Sequence, residues 1–571
     1  MASTTHTAFT PAVIRHAKLA YETQKSGHGF DTFLEQLGDT NSSGPLPITV
    51  DTSHPISHYY ISSSHNTYLS GNQLWSRSST DAYKEVLKRG CRCIEIDVWD
   101  GDDLPSPTSS EGEGGEKVRG FLRKGLHKLH IKEKEIKAKA ADSPAADDSM
   151  LMPTPWRTGH ARTEPRVLHG YTATKEVSFR NVCEVIREYA FRASEQPLIV
   201  SLEVHCNLQQ QAIMAEIMTD YWKPFLVPLA DDLGEETPLP TLESLRQRIL
   251  IKVKYSPPSK SADKKTKAPR STRAKTEADV SADKDSDSDE GPQEKKSKIC
   301  EALGELGVYT RSCHFHSLDQ PEAQMPTHIF ALSEGKLLAV LQEQSAALFK
   351  HNAQYFMRVY PKGTRVTSSN LDPTPFWRQG VQVVALNWQE VDSALMQNEA
   401  MFAGTGGWIL KPPGFYDLNT TTIKRSTLDL TVRILAAQSL VPARSSTPDV
   451  YVKCQLHVAS SMEKLAGQIP NEGGKKGGEW KRRSAVRHSH EPDFGGEALP
   501  LLGVEDVVPA LSFVRFKVMD DVSYQKDHTL GWACFRLDRL PQGLVLLPLN
   551  GGDAKPNGGT LLVDISLILH D

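Results

Sequence analysis

The stretch that decides the fold is Gly90-Cys-Arg-Cys-Ile-Glu-Ile-Asp-Val-Trp-Asp100. Its alternation is typical of a buried β-strand, because successive side chains of a strand point to opposite faces. One face is largely apolar, and the other carries Cys91, Cys93, Glu95 and Asp97. Buried carboxylates need compensation, so this face predicts either a hard cation such as Ca²⁺ or Mg²⁺ or pairing with Lys and Arg.

Length and composition bound the class of protein. A chain of 571 residues predicts about two to four domains. The net charge of −4 provides no bulk field that would attract nucleic acid. Eight cysteines without a disulfide framework predict reduced thiols and a cytoplasmic protein, and no apolar run is long enough to predict a signal peptide or a membrane span. A protein of this kind that acts on lipid must visit the membrane surface.

Strand and helix patterns alternate along most of the chain, which predicts an α/β fold of the (β/α) TIM-like barrel type. The predicted barrel strands are 58–64, 90–99, 167–172, 197–206, 248–255, 356–360 and 381–386. Beyond residue 428, short strands without helices predict an all-β sandwich. A helical pattern between residues 10 and 37 predicts a short N-terminal segment packed against the next domain.

Two insertions interrupt the barrel pattern. The lysine-rich insertion 103–166 has two interpretations, a membrane-surface helix or a weakly ordered loop. The polar segment 257–298 is predicted to be a disordered linker that splits the barrel. The predicted domains are a helical segment 1–45, a first barrel half 46–256, the linker 257–298, a second barrel half 299–425 and the sandwich 426–571.

Reactive side chains crowd the C-terminal ends of the predicted strands, where barrel active sites lie. The oxygen donors suited to a hard cation are Asn66, Glu95, Asp97 and Glu203. The imidazoles suited to acid–base chemistry are His65 and His169. The groups suited to phosphate are Lys252, Lys254, Arg358 and Ser333. A salt bridge would explain one such strand, whereas convergence of several strands predicts metal-assisted phosphodiester chemistry.

Longer motifs then resemble a known family. SSSHNTY at 62–68, CRCIEID at 91–97, HGYT at 169–172 and SLEVH at 201–205 are similar to the X region of eukaryotic phosphoinositide-specific phospholipase C. FMRVYP at 356–361, VALN at 384–387 and GGWILKP at 406–412 resemble its Y region. The sandwich resembles a C2 domain, and the overall plan resembles the delta class without a pleckstrin-homology domain.

The resemblance implies a role for each matching position. One Ca²⁺ would be held by Asn66, Glu95, Asp97 and Glu203. Glu95 or Glu203 would take the proton of the inositol 2-hydroxyl, and His65 would hydrogen-bond the phosphoryl oxygens. His169 would protonate the departing diacylglycerol and then activate water. The 4- and 5-phosphates and the inositol ring would be bound by Lys252, Lys254, Ser333, Arg358 and Tyr360.

The resemblance therefore implies a phospholipase C, a phosphoric diester hydrolase of lipid degradation that acts as a transducer in intracellular signal transduction. It would cleave phosphatidylinositol 4,5-bisphosphate, with calcium, to diacylglycerol and inositol 1,4,5-trisphosphate through a cyclic inositol phosphate. The implied protein is a monomer, cytoplasmic and peripheral at the inner face of the plasma membrane. In the C2-like module Asp449 and Asp520 match calcium positions, but Val522 replaces a usual acid. Compensation by Asp521 and Asp527 is the alternative, and a role in packing and membrane docking is favoured over tight calcium binding.

Two alternatives from other classes stay open at this point. The first is an inactive relative that acts as a phosphoinositide-binding scaffold, although such a relative would lose a catalytic histidine or a metal acid that this chain retains. The second is a glycerophosphodiesterase, another metal-dependent barrel, which would not need the cation cluster or the C2-like module.

Overall fold

The computed structural model describes residues 9–24, 29–39, 44–74, 76–101, 164–170, 176–228, 237–255, 299–419, 421–441, 446–458, 479–522 and 527–571. Most of the insertion 103–166 and all of the predicted linker 257–298 lie outside these residues, so the predictions made for them stay predictions. No helix among the described residues is long and apolar enough to cross a membrane.

The first sheet contains eleven strands within the described residues. In chain order they are Tyr59–Ser64 (β1), Cys93–Trp99 (β2), Arg166–Val167 (β3), Val177–Ser178 (β4), Leu198–Val204 (β5), Ile249–Lys254 (β6), Arg311–Cys313 (β7), His328–Ser333 (β8), Phe356–Tyr360 (β9), Val383–Leu386 (β10) and Trp408–Leu410 (β11). Strand β1 pairs in parallel with both β10 and β2, which closes β1, β2 and β5 to β10 into an eight-stranded parallel barrel. The predicted (β/α) barrel is confirmed.

Three strand predictions need correction. The predicted barrel strand 167–172 is wrong, because β3 has two residues and pairs antiparallel with the end of β2. Strands β7 and β8 were not predicted. Three residues in β7 are too few to show a period of two, and β8 runs directly into a helix at Ser333, which merges the two patterns.

Helices cover the outside of the barrel. Those described are Thr80–Lys88 (α3), Phe179–Tyr189 (α4), Leu208–Trp222 (α5), Glu301–Glu305 (α6), Glu334–Gln354 (α7), Thr374–Arg378 (α8) and Ser393–Phe402 (α9), which follow the N-terminal helices Pro11–Gln24 (α1) and Phe30–Gly38 (α2). Ile94 and Ile96 of β2 lie in the core shared with these helices, whereas Cys93 belongs to a separate core inside the barrel. Apolar faces therefore point outward, as predicted.

The second sheet group forms the predicted all-β sandwich. Its strands are Ser426–Gln438 (β12), Asp449–His457 (β13), Glu479–Arg483 (β14), Arg487–His488 (β15), Asp493–Val507 (β16), Phe513–Asp520 (β17), His528–Arg536 (β18), Gly543–Asn550 (β19) and Pro556–His570 (β20). All described pairings among them are antiparallel. Alternate residues such as Val450, Val452 and Cys454 fill one apolar core.

The N-terminal helices pack against the sandwich rather than against the adjacent barrel. Val13, Ala17 and Leu37 share a core with Leu435 and Leu562 of β12 and β20. The backbone N–H of Thr10 donates to the side chain of Gln438, 428 residues later. The predicted packing partner was wrong, because sequence proximity does not reveal which apolar face is left uncovered.

Candidate active site

The barrel interior is apolar toward the N-terminal ends of its strands and polar toward their C-terminal ends. Cys93, Ile199, Leu250 and Phe356 start the inward faces of four strands and pack with Trp408. Because side chains alternate, the next inward positions on the same strands bring charged groups toward the C-terminal rim. Glu95 faces Ser201, and Asp97 faces Glu203, in the register of β2 and β5. The sequence pattern therefore places these acids at the end of the barrel where active sites lie.

Glu95 is a buried carboxylate that the barrel itself neutralises. Its Oε1 accepts from Arg358 at 2.5 Å, and its Oε2 accepts from the backbone N–H of Asn66 at 2.9 Å. Burial opposes the charged form, but Arg358, His65 and the hydrogen bond from Asn66 together lower the pKa of Glu95 below its ordinary value. Glu95 is thus held as a carboxylate.

Asp97 has no such cation. Tyr68 donates to its Oδ2 at 2.6 Å, while its buried Oδ1 has no hydrogen-bond partner. Burial, together with the charge of Glu95, raises the pKa of Asp97 well above its ordinary value. A buried carboxylate oxygen without a partner is the kind of group that a bound cation satisfies.

Glu203 and Lys252 lie on the neighbouring strands β5 and β6. The side chain of Glu203 is half exposed, and its Oε1 accepts from the buried Lys252 Nζ at 3.3 Å. Lys254 lies two residues further along β6 and is exposed at the rim. Acidic and basic groups therefore alternate around this side of the mouth.

Asn66 sits immediately after β1 in a left-handed backbone conformation, with φ of 42°. This conformation turns its N–H onto Glu95, and its Nδ2 donates to Gln73 Oε1 at 2.8 Å. Because Nδ2 is engaged by Gln73, the amide oxygen Oδ1 is the atom that could bind a cation.

The predicted metal ligands are neighbours without forming a finished metal centre. In the part of the chain that the structure describes, no three His, Cys, Asp or Glu side chains are drawn together as a metal-binding group. Glu95 is paired with Arg358, and Glu203 is paired with Lys252. A metal ion that binds these carboxylates would have to compete with the two side-chain cations. The four-ligand site stays a prediction, and the donor chemistry fits Ca²⁺ better than zinc because every candidate atom is oxygen.

His65 follows β1 and is held by the side chain of Asn387, which immediately follows β10. Its Nδ1 lies 3.0 Å from Asn387 Oδ1, which accepts and therefore fixes the proton on Nδ1. Burial lowers the pKa of His65 from its ordinary value. Its ring lies parallel to Tyr360, with ring centroids 6.1 Å apart. The second nitrogen, Nε2, is the atom left for a ligand.

His169 reaches the same rim from the segment that follows β2. Val167 pairs with Val98, and the N–H of Leu168 donates to the carbonyl of Asp97 at 3.4 Å. His169 therefore lies beside the end of the strand that carries both acids, although 72 positions separate it from Asp97 in the sequence.

The predicted phosphate-binding residues line the opposite side. Ser333 ends β8, pairs with Tyr360 of β9 and caps α7 by accepting from the N–H of Lys336. The Arg358 guanidinium lies 5.1 Å from the ring centroid of Tyr360. It is buried, and its Nε has no hydrogen-bond partner. Arg358 is thus first a counter-charge for Glu95, and its Nε–H is a buried donor that remains available.

Sequence reasoning missed the residues that hold the site in place. Tyr68 holds Asp97, and Thr67 Oγ1 accepts from the N–H of Glu95 at 2.9 Å. Gln73 orients Asn66, and Asn387 orients His65. Tyr68 and Thr67 belong to the motif SSSHNTY and Asn387 to VALN, but these three residues were given no role from the sequence alone. Their polar character inside otherwise buried segments was the available signal.

A closed (β/α) barrel with a charged mouth, joined to an antiparallel sandwich, defines the class of barrel proteins that carry a C2-type module. Comparison with family models refines this class. Residues 52–255 match the phosphatidylinositol-specific phospholipase C X domain, and residues 303–414 match the Y domain of the same family. Residues 428–547 match the C2 domain. The chain belongs to the phosphatidylinositol-specific phospholipase C family.

Curated relatives agree with this assignment. The chain is 30% identical over 568 residues to human 1-phosphatidylinositol 4,5-bisphosphate phosphodiesterase delta-1, which covers 95% of this chain and 64% of that protein. It is 32% identical over 404 residues to 1-phosphatidylinositol 4,5-bisphosphate phosphodiesterase 1 of Candida albicans, covering 66% of this chain and 33% of that protein. The chain thus spans slightly less than two thirds of the delta-1 relative.

Solved structures confirm the fold. PLC21 of S. officinalis matches all of this chain and 64% of that chain, with a TM-score of 0.69 at 23% identity. PLC21 of L. pealei matches with a TM-score of 0.67 at 24% identity, again over all of this chain and 64% of that chain.

Proposed function

We propose that this chain is a calcium-dependent phosphoinositide phospholipase C. It cleaves phosphatidylinositol 4,5-bisphosphate to diacylglycerol and inositol 1,4,5-trisphosphate through a cyclic inositol phosphate. Family membership supports the reaction class, and the activity for which the curated relatives are named supports the lipid substrate. The contacts at the barrel mouth support the role proposed for each residue in this reaction.

One observation carries the proposal. The mouth contains a buried carboxylate oxygen without a partner, Asp97 Oδ1, and a buried guanidinium nitrogen without a partner, Arg358 Nε. The first favours a cation and the second favours an anion. A phosphoinositide headgroup bound together with a divalent ion supplies both charges at once.

The acids bind the ion and supply the base. Asn66, Glu95, Asp97 and Glu203 would hold Ca²⁺, which when bound lowers the pKa of the inositol 2-hydroxyl and neutralises charge on the 1-phosphate. Glu95 is held ionised by Arg358, which is the protonation state that a base needs. Glu203 is half exposed at the rim and is the second candidate for this role.

His65 stabilises the phosphoryl oxygens. Its Nδ1 proton is donated to Asn387, so Nε2 donates to phosphate after the imidazole takes up a second proton. Burial lowers the pKa of the free imidazole, and the anionic phosphate supplies the opposite charge that favours the imidazolium. Donation to charge that grows in the transition state is worth several kcal/mol.

His169 acts on the other side of the phosphorus. It donates a proton to the departing diacylglycerol oxygen, then accepts a proton from the water that opens the cyclic phosphate. Its position beside the end of β2 places it next to the acids without sharing a strand with them.

The remaining cations select the headgroup. Lys254 is exposed at the rim, and Ser333 and Tyr360 are paired neighbours on β8 and β9. With Lys252 and Arg358 they surround the inositol ring with groups that favour the 4- and 5-phosphates over an unphosphorylated ring.

We extend the proposal to the setting of the reaction. The substrate is a lipid, so the chain works at a membrane surface, where the C2-type sandwich supports peripheral association. We propose a monomer that acts from the cytoplasm at the inner face of the plasma membrane in intracellular signalling.

The test is release of water-soluble inositol phosphate from vesicles that contain phosphatidylinositol 4,5-bisphosphate, with calcium and with a chelator. Wild type should release product when calcium is present and not when the chelator is present. The rate of His65→Ala should be at least about 100-fold lower than that of wild type. His570→Ala, which changes an exposed histidine of the sandwich, is the matched control.

The outcomes separate the candidates. Headgroup binding without release in wild type would favour the scaffold alternative. Release that does not depend on calcium, or a fully active His65→Ala, would contradict the mechanism.

A further inference from the structure

Two stacked aromatic rings lie just beyond the acids that end β2 and β5. Trp99 is the last residue of β2 and His205 immediately follows β5, and the backbone N–H of His205 donates to the carbonyl of Val98. By strand alternation the two side chains share a face with Asp97 and Glu203, two residues nearer the rim. Their rings are stacked, with centroids 4.1 Å apart and planes within 12°. His205 was noted in the sequence on the same face as Glu203, and the proposed reaction gives it no role.

The segment that carries His169 rests on this stack. A side chain added at Gly170 would overlap the indole ring of Trp99, so the backbone of Gly170 lies directly against that ring. On the other side, Val167 pairs with Val98, and the N–H of Leu168 donates to the carbonyl of Asp97. His169 lies between these two anchors.

We propose that Trp99 and His205 are positioning residues for His169. The stacked rings form a flat wall that Gly170 must approach closely, and this contact sets the height of the His169 backbone above Asp97. The inference rests on the proposed function, because it assigns the wall to the step in which His169 protonates the leaving oxygen and then activates water.

The wall should affect the reaction more than binding. Lys254, Ser333 and Tyr360, which are proposed to bind the headgroup, lie on β6, β8 and β9 and do not depend on β2. A displacement of about 1 Å at a reacting group can cost roughly 100-fold in rate. Loss of the wall should therefore lower kcat by about 10- to 100-fold with little change in KM.

The clearest signature is the product ratio. If His169 both protonates the leaving group and activates water, a displaced His169 slows ring opening and more cyclic inositol phosphate escapes. The experiment measures cyclic and acyclic products from phosphoinositide vesicles, kcat, KM and thermal unfolding for the full chain.

The variants are chosen to separate shape from chemistry. His205→Ala removes half of the stack, whereas His205→Phe keeps a flat ring without an ionisable nitrogen. Gly170→Ala pushes the loop away from Trp99, and combining it with Trp99→Ala removes the clash. The two changes should therefore be strongly non-additive, since they act on one contact.

A matched control is Phe191→Ala, which removes one ring of a Phe191–Phe225 pair on the outside of the barrel, with centroids 5.2 Å apart. This change should lower the melting temperature while the product ratio and KM stay at wild-type values.

The proposal is supported if His205→Ala and Gly170→Ala raise the cyclic fraction several-fold and His205→Phe restores it. It is overturned if His205→Phe behaves like His205→Ala, or if the variants change stability without changing the product ratio. A wild-type chain that releases no inositol phosphate would overturn the proposed function and this inference together, whereas an active wild type with unaffected variants would overturn the inference alone.

Discussion

Two groups of acidic residues in this molecule differ in their surroundings. In the barrel mouth, Glu95 and Asp97 are buried, and Asp97 keeps an oxygen without a hydrogen-bond partner. In the loops at one end of the sandwich, the side chains of Asp449 and Asp521 are 50% and 41% exposed. The two groups differ in what already neutralises them.

Each acid at that end of the sandwich contacts a partner from the protein. Asp449 Oδ1 lies 2.8 Å from His488 Nδ1, and Asp520 Oδ1 accepts from the backbone N–H of Asp449 at 2.9 Å. Asp521 lies 3.7 Å from an Arg483 nitrogen. The fourth acid, Asp527, accepts from the Tyr451 hydroxyl and lies near the Lys453 ammonium.

An acidic cluster therefore indicates a bound cation only when the fold leaves a carboxylate oxygen without a partner in the protein. The sandwich acids are already paired with side chains or, for Asp520, with a backbone N–H, so a bound ion would have to displace existing partners. Asp97 is buried and lies near the negative charge of Glu95, and both effects raise its pKa. A bound cation would offset this cost of ionising Asp97. We therefore propose that the calcium ion of the proposed reaction binds in the barrel rather than in the sandwich.

The largest expected effect comes from Asp97→Asn. Loss of one oxygen ligand should lower inositol phosphate release by about 1,000-fold, because metal stabilisation of transition-state charge is worth several kcal/mol. The same change removes a buried carboxyl group whose ionisation is disfavoured, so without calcium the free energy of unfolding should stay equal or rise by about 1 to 3 kcal/mol.

Activity assays and urea unfolding of the same preparation test this pair of effects. Asp521→Asn is the control in the sandwich, and it should change neither quantity appreciably. An Asp97→Asn chain that unfolds more easily than wild type in the presence of chelator would contradict the assigned burial cost.

The second effect compares two ion pairs. Arg358→Met leaves Glu95 buried without its cation, which should lower the free energy of unfolding by about 3 to 5 kcal/mol. Lys453→Met removes the partner of Asp527, whose side chain is 29% exposed, and should cost less than about 1 kcal/mol. Denaturant unfolding of both variants gives the two numbers directly.

A double variant provides the internal check. Glu95→Gln in the Arg358→Met background removes the stranded charge and should recover a large part of the lost stability. If it recovers none, Arg358 stabilises the barrel through packing rather than through charge.

The sequence predicted the arrangement of the acids because a strand has a period of two. Once β2 and β5 were recognised, Glu95, Asp97 and Glu203 had to point inward near the C-terminal rim. The sandwich was predictable for the same reason, since its long strands alternate over many residues.

The partners of these acids were not predictable from local pattern. Arg358 lies 263 residues after Glu95, in the other half of the barrel, and nothing in either motif states that they touch. Tyr68 reaches Asp97 from the turn that follows β1, where no repeating period exists. Periodicity identifies a face, whereas contacts between distant segments depend on closure of the whole barrel.

The third effect concerns the floor of the barrel in acid. His328 and His351 are buried beside each other, and burial lowers the pKa of each to about 4. Because the unfolded chain binds protons near pH 6.5, the stability they contribute is fully present above pH 6.5 and is lost as the pH falls through about 4.

The free energy of unfolding should therefore fall by roughly 3 kcal/mol for one such imidazole between pH 6.5 and pH 4. His351→Gln should flatten this part of the pH profile, and His570→Gln, half exposed in the sandwich, should leave it unchanged. Urea unfolding at half-unit pH intervals measures both. An unchanged slope in His351→Gln would mean that other groups cause the acid sensitivity.

The smallest expected effect is in the sandwich loops, and it tests the comparison from the other side. Asp521→Asn combined with Asp527→Asn should move the calcium concentration for half-maximal activity by less than about twofold, because surface charges offset by neighbouring cations contribute little. Calcium titration by calorimetry should still find the site that Asp97→Asn abolishes. If the double variant instead loses a bound ion or shifts the activation midpoint tenfold, Arg483 and Lys453 yield to calcium during membrane docking. Internal ion pairs would then be a resting state of the sandwich rather than a substitute for the metal.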